Sequence, residues 1–64
     1  MENAKVYAVQ YIDRYGDACR VWENGRTKKF TLEDARVQAL EMVKRTGKTS
    51  KICKGWTVIE VYNP

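Results

Sequence analysis

Between residues 32 and 43 the apolar positions recur with a helical period. At about 100° per residue, Leu32, Ala35, Ala39, Leu40, Met42 and Val43 share one side, while Glu33, Asp34, Gln38, Glu41, Lys44 and Arg45 take the other. Both ends of the stretch carry signals. Thr31 stands just before it with Asp34 three residues on, so a hydroxyl can accept from a first-turn amide. Glu33 and Asp34 sit where a helix dipole is positive and Lys44 and Arg45 where it is negative, and Gly47 can take the left-handed conformation that closes a helix. These features predict one amphipathic helix over residues 32–46. Arg36 falls inside the apolar arc and is expected to lay its stem along the edge of the contact, with Val37 an ordinary exposed residue.

Elsewhere the period is two. Residues 5–12 (KVYAVQYI) predict a first strand, with Tyr7, Val9 and Tyr11 on one face and Val6, Ala8, Gln10 and Ile12 on the other. A turn at Asp13-Arg14-Tyr15-Gly16-Asp17, with Gly16 left-handed, places Tyr11 opposite Cys19, Gln10 opposite Arg20, Val9 opposite Val21 and Ala8 opposite Trp22. A second strand over 18–23 leads into Asn24-Gly25, the signature of a two-residue I′ turn, and a third strand over 26–31 returns. That turn sets Glu23 against Arg26, Trp22 against Thr27, Val21 against Lys28, Arg20 against Lys29 and Cys19 against Phe30. Residues 48–55 read as a basic, turn-rich connection with room for a short strand at Ile52-Cys53, and 56–62 (WTVIEVY) as a last strand parallel to the first or third.

The expected fold is α+β. A three-stranded antiparallel meander (5–12, 18–23, 26–31) carries one helix (32–46) on the face bearing Tyr7, Val9, Tyr11, Cys19, Val21 and Phe30, and a C-terminal strand (56–62) completes the sheet. At 64 residues this is expected to be a single domain, 1–64, with a small core. A composition 44% hydrophobic and 31% charged is that of a folded chain and not of a disordered one. No stretch is apolar enough to span a bilayer and the N-terminus lacks a signal-peptide layout, so the expected compartment is cytoplasmic, with no membrane partner.

Charge changes the picture more than composition does. The net +4 lies almost wholly in residues 42–64, where Lys44, Arg45, Lys48, Lys51 and Lys54 face Glu60 alone. An anionic partner follows as a candidate. The open sheet face, turned away from the helix, would gather Arg20, Trp22, Thr27 and Lys29 into a hydrogen-bonding, stacking and phosphate-neutralising surface. Gln10 shares that face, Arg26 lies beside it, and Lys48, Lys51 and Lys54 would add phosphate contacts from the neighbouring loop.

Catalysis finds little support. The chain has no histidine, its acids fall mostly in turns and on the polar helix face, and Cys19 on the helix-facing side makes a poor nucleophile because burial raises a thiol's pKa. Cys19 and Cys53 supply neither a disulfide framework nor a zinc set. Gly47-Lys48-Thr49 lacks the upstream glycine and strand of a phosphate-binding loop. The expectation is a non-enzyme with no catalytic residues, metal, cofactor or small-molecule substrate.

The run YGDACRVWENGRTKKFTLEDARVQALEMV resembles the three-strand-plus-helix DNA-binding domains of plant ethylene-response factors and of phage integrase amino-terminal arms, over roughly residues 5–46. That resemblance implies DNA reading by Arg20, Trp22 and Lys29. The final strand is a departure from it. The β-β-β-α-β order also resembles small phage and mobile-element proteins, including inhibitors that dock stoichiometrically on a host protein. Two functions are therefore expected in rank order: binding of nucleic acid, DNA before RNA, through the open face and the basic loop; or protein docking through the apolar part of that face or the edge of the last strand. Both a monomer and a homodimer are compatible with the sequence.

Overall fold

The computed structural model describes residues 4–64. Helix α1 (Leu32–Thr46) forms between the caps its sequence calls for: the Asp34 amide donates to Thr31 Oγ1 at 3.2 Å, and Gly47, at φ 70°, donates its amide to the Val43 carbonyl at 2.8 Å. Strand β1 (Tyr7–Ile12) pairs antiparallel with β2 (Ala18–Arg20) in the expected register, Gln10 with Arg20 and Tyr11 with Cys19. The turn between them is held by Asp13, whose Oδ1 accepts from the amides of Tyr15 and Asp17, both at 2.9 Å, with Gly16 at φ 84°.

The third strand departs from expectation. β3 (Trp22–Glu23) and β4 (Arg26–Thr27) pair as the Asn24-Gly25 turn dictates, with Asn24 at φ 54° and Gly25 at φ 78°, but they form a separate two-stranded ear. The chain leaves the main sheet after Val21, whose amide donates to the Val9 carbonyl at 3.0 Å. The Lys28 amide closes the base of the ear on the Val21 carbonyl at 2.9 Å. Phe30 then exchanges two backbone hydrogen bonds with Tyr7, at 3.1 and 2.8 Å. The three-stranded meander over 5–12, 18–23 and 26–31 is thus corrected: Ala8 does not face Trp22, Arg20 does not face Lys29, and Cys19 does not face Phe30. The physical reason is burial. Arg26, Thr27, Lys28 and Lys29 have nothing to bury on a sheet, whereas Phe30, returned to β1, is only 8% exposed.

The other side of β1 is taken by β5 (Ser50–Lys54), which pairs antiparallel with it through Tyr7–Lys54, Ala8–Cys53, Val9–Ile52 and Gln10–Lys51. β6 (Thr57–Tyr62) pairs with β5, giving the order β2-β1-β5-β6. Residues 48–55 are therefore mostly a central strand and not a basic loop. The last strand runs in the direction of β1 but is separated from it by β5. An inner strand needs apolar residues on both faces, and Ile52 and Cys53 supply them, with the lysines placed at the margins. Gly55-Trp56 is a two-residue connection with positive φ at Gly55 alone, 64°, which fits a glycine-first II′ hairpin. Trp56 belongs to this turn, so the strand begins at Thr57.

The core sits between α1 and one face of the sheet. Tyr7, Val9, Phe30, Ala35, Ala39, Met42 and Ile52 are buried, and Tyr11, Val21, Leu32 and Tyr62 pack around them. The two alanines let α1 lie close over the sheet. Leu40, expected in the buried stripe, is half exposed, and Val37 is exposed as anticipated. Arg36 does more than lie along an edge: its Nε and Nη2 donate to the Glu60 carboxylate at 3.0 and 2.7 Å, clamping α1 to β6.

Candidate nucleic-acid interface

No helix covers the second face of the sheet, yet Ala8 and Cys53, paired at its centre, are buried. Arg20 accounts for this. From β2 its guanidinium reaches diagonally across β1 and β5 to donate to the Gly55 carbonyl at 3.1 Å, and it lies 5.1 Å from the centroid of the Trp56 ring. Small side chains beneath it give the arginine room to cross. Trp56 itself is 93% exposed at the hairpin tip, so nearly all of the indole is open to solvent while its setting is braced by Arg20.

Further along the same face, Gln10 and Lys51 stand side by side and, with Ile12 and Thr49, line a depression of about 240 Å³. The Gln10 side-chain oxygen accepts from Cys53 Sγ at 3.7 Å, which leaves its amide nitrogen available to a ligand. Val58 and Val61, opposite Cys53 and Lys51, keep the face apolar toward β6.

The ear leaves the sheet at the end where the β5–β6 turn also lies, since Tyr7 pairs with Lys54 on one side and Phe30 on the other. Trp22 in the ear is two-thirds exposed. Next to it is an open depression of about 580 Å³ whose charged lining is Lys5, Arg26, Lys28 and Lys29 against Glu23. Glu23 lies 3.9 Å from Lys28, and the only other ion pair among the described residues is Arg36–Glu60. The end of the molecule with both tryptophans is therefore also cationic.

The expected site residues thus fall into separate groups. Gln10, Arg20 and Lys51 share the open face; Trp22, Arg26 and Thr27 lie in the ear, with Lys29 at its base. The single surface of Arg20, Trp22, Thr27 and Lys29 does not form, because the ear leaves the sheet. Lys48 lies at the opposite end, its Nζ donating to the Asp13 carbonyl at 3.1 Å, beside Arg14 and Arg45. Lys54, the partner of Tyr7, is on the helix side of the sheet but at the tryptophan end. Three residues were missed by sequence reasoning: Trp56, Lys5 and Lys28. A glycine-first turn before an aromatic residue is the signal that marks Trp56 as a hairpin tip.

The perturbed titratable groups are structural. Backbone donation from Asp17, with help from the Cys19 thiol, Tyr15 and Lys48, holds Asp13 below its usual range, and burial together with the Asp13 carboxylate pushes the Cys19 thiol up, away from nucleophilic character. Cys19 and Cys53 pair with β1 residues on opposite faces of the sheet. Hydrogen bonds from Arg36, and then from the Tyr62 hydroxyl, lower Glu60 to about 2. Among the described residues no group of three acids, cysteines or histidines is placed to hold a metal, and no helix is long and apolar enough to cross a membrane. Comparison with protein-family models, curated proteins and solved structures finds no match.

Proposed function

We propose that this chain is a non-enzymatic nucleic-acid-binding protein that works through the tryptophan end of the molecule and the adjoining open sheet face. The observation that carries the reading is the depression rimmed by Lys5, Arg26, Lys28 and Lys29 against one acid, at the end of the molecule that also carries two exposed indoles. Cations concentrated on one end attract a polyanion and exchange its counterions, and exposed aromatic rings add contact to bases. The test is fluorescence anisotropy with labelled oligonucleotides across a salt series. Binding should weaken with salt at a log–log slope of about −0.7 to −0.9 per phosphate neutralised. The double charge reversal Arg26→Glu with Lys29→Glu should abolish most of the affinity. Absence of any complex at low ionic strength refutes the proposal.

One feature favours a second reading, docking on a protein partner in the manner of a stoichiometric inhibitor. β6 is a six-residue edge strand on which Val58, Ile59 and Val61 are each at least 40% exposed, a surface suited to strand addition. A protein retained at one-to-one stoichiometry after nuclease digestion, and lost with Val61→Lys, would support it. Capture that disappears with nuclease returns the role to nucleic acid.

A further inference from the structure

We infer that the ligand of this interface is an unpaired strand, one of whose bases stacks on Trp56 while its phosphates run toward the cationic depression. This rests on the nucleic-acid reading above and names its substrate class.

Stacking needs a flat ring with a free face, held in place beforehand. Trp56 has the free face, being 93% exposed, and its backbone is set by Gly55 at the tip of a two-residue turn to which Arg20 is fastened by its bond to the Gly55 carbonyl. The guanidinium lies 5.1 Å from the ring centroid, and at 93% exposure the indole keeps a face open to a base. Bases inside a duplex already stack on their neighbours, so their faces are closed to such a platform.

The remainder of the face agrees with this chemistry. Arg20 crosses the centre above Ala8 and Cys53, Val58 and Val61 make the outer part of the face apolar, and Gln10 and Lys51 offer side-chain donors about 13 Å along β5 from Gly55, at roughly 3.3 Å per residue. This is a surface for splayed bases, with few cations to follow two phosphate backbones. Arg26, Lys28 and Lys29 instead cluster at one end, where a single backbone would leave the face. The three-strand reading surface that would enter a major groove is not assembled, because Trp22 and Thr27 have left the sheet with the ear.

The test measures affinity for three probes of equal length, a single-stranded DNA, a single-stranded RNA and a duplex DNA, using the whole chain, Trp56→Ala, and Trp56→Phe. At least one single strand should bind more tightly than the duplex. Trp56→Ala should weaken single-strand binding roughly 5- to 150-fold, the range of one lost base stack. Trp56→Phe should recover much of that loss, and duplex binding should be unchanged by either substitution. Because Trp56 is almost fully exposed, neither substitution endangers the fold. In a Trp22→Phe background, quenching of the remaining indole by the single strand reports the stack directly. Preference for RNA or for DNA supports the inference and identifies the sugar. A duplex bound as tightly as either strand, with Trp56→Ala without effect, overturns it while leaving the nucleic-acid proposal standing. No binding to any probe removes both.

Discussion

Replacing Ile52 with valine deletes one methylene from a side chain with no solvent exposure, on an inner strand and against Val9. The transfer contribution of that group is about 0.8 kcal/mol. The small void left behind keeps the cost within about 0.5–1.5 kcal/mol. At about 4–8 °C per kcal/mol for a domain of this size, Tm should fall by roughly 2–12 °C. Ile52→Ala should cost about 2–5 kcal/mol. Against a total stability of roughly 3–10 kcal/mol, from about 0.05–0.15 kcal/mol for each of the 64 residues, that removes from about a fifth to all of the stability. Far-UV circular dichroism is the right probe, because both tryptophans are exposed and report poorly on the core. Val37→Ala, on an exposed helix position, serves as the control and should stay within about 0.5 kcal/mol. If Ile52→Val shifts the melt no more than Val37→Ala does, β5 is not a core strand and the order β2-β1-β5-β6 is wrong.

Three further outcomes are expected. The folded-state pKa of Glu60, about 2, lies below its usual 4.5, so the stability it contributes is complete above that usual value and is lost as pH falls toward 2; Glu60→Gln should flatten the acid limb of a Tm–pH profile between those values, and an unchanged limb would refute the clamp. Thr31→Ala removes the acceptor for the Asp34 amide and should cost about 1 kcal/mol in urea denaturation, whereas no change would mean the cap is dispensable. Ser50 Oγ is buried without a hydrogen-bond partner among the described residues, so Ser50→Ala should raise the urea midpoint, and a clear fall would show that the hydroxyl is satisfied after all.

Local signals proved reliable where the interaction was local. Thr31, Asp34 and Gly47 mark the helix ends because caps involve residues three or four apart, and the turns at Gly16 and Asn24-Gly25 set the Gln10–Arg20 and Glu23–Arg26 registers for the same reason. What could not be read locally was whether a hairpin's second strand stays in the sheet. Turn chemistry pairs Trp22 with Thr27 equally well in a meander and in an ear, and the choice was made by the distant competition between Lys29 and Phe30 for burial. β5 was obscured by its own lysines, since Lys51 and Lys54 gave a basic character to a strand whose inner pair, Ile52 and Cys53, is fully buried. For the candidate site, Arg20 was legible as a face residue, but its reach to Gly55 and Trp56 depends on a neighbour relation that only the β1–β5 pairing creates.

That pairing also governs how the chain must fold. The β1–β2 and β5–β6 hairpins each close over short loops, whereas the ladder joining them brings together residues from near the two ends of the sequence and bears the greatest loop-closure entropy. The rate-limiting event is therefore expected to be the docking of the second hairpin onto the first, with the helix as the strap between them. During synthesis from the N-terminus, the inner edge of β1 stays unpaired until β5 has been made, so the nascent chain passes through an interval with an exposed apolar strand edge.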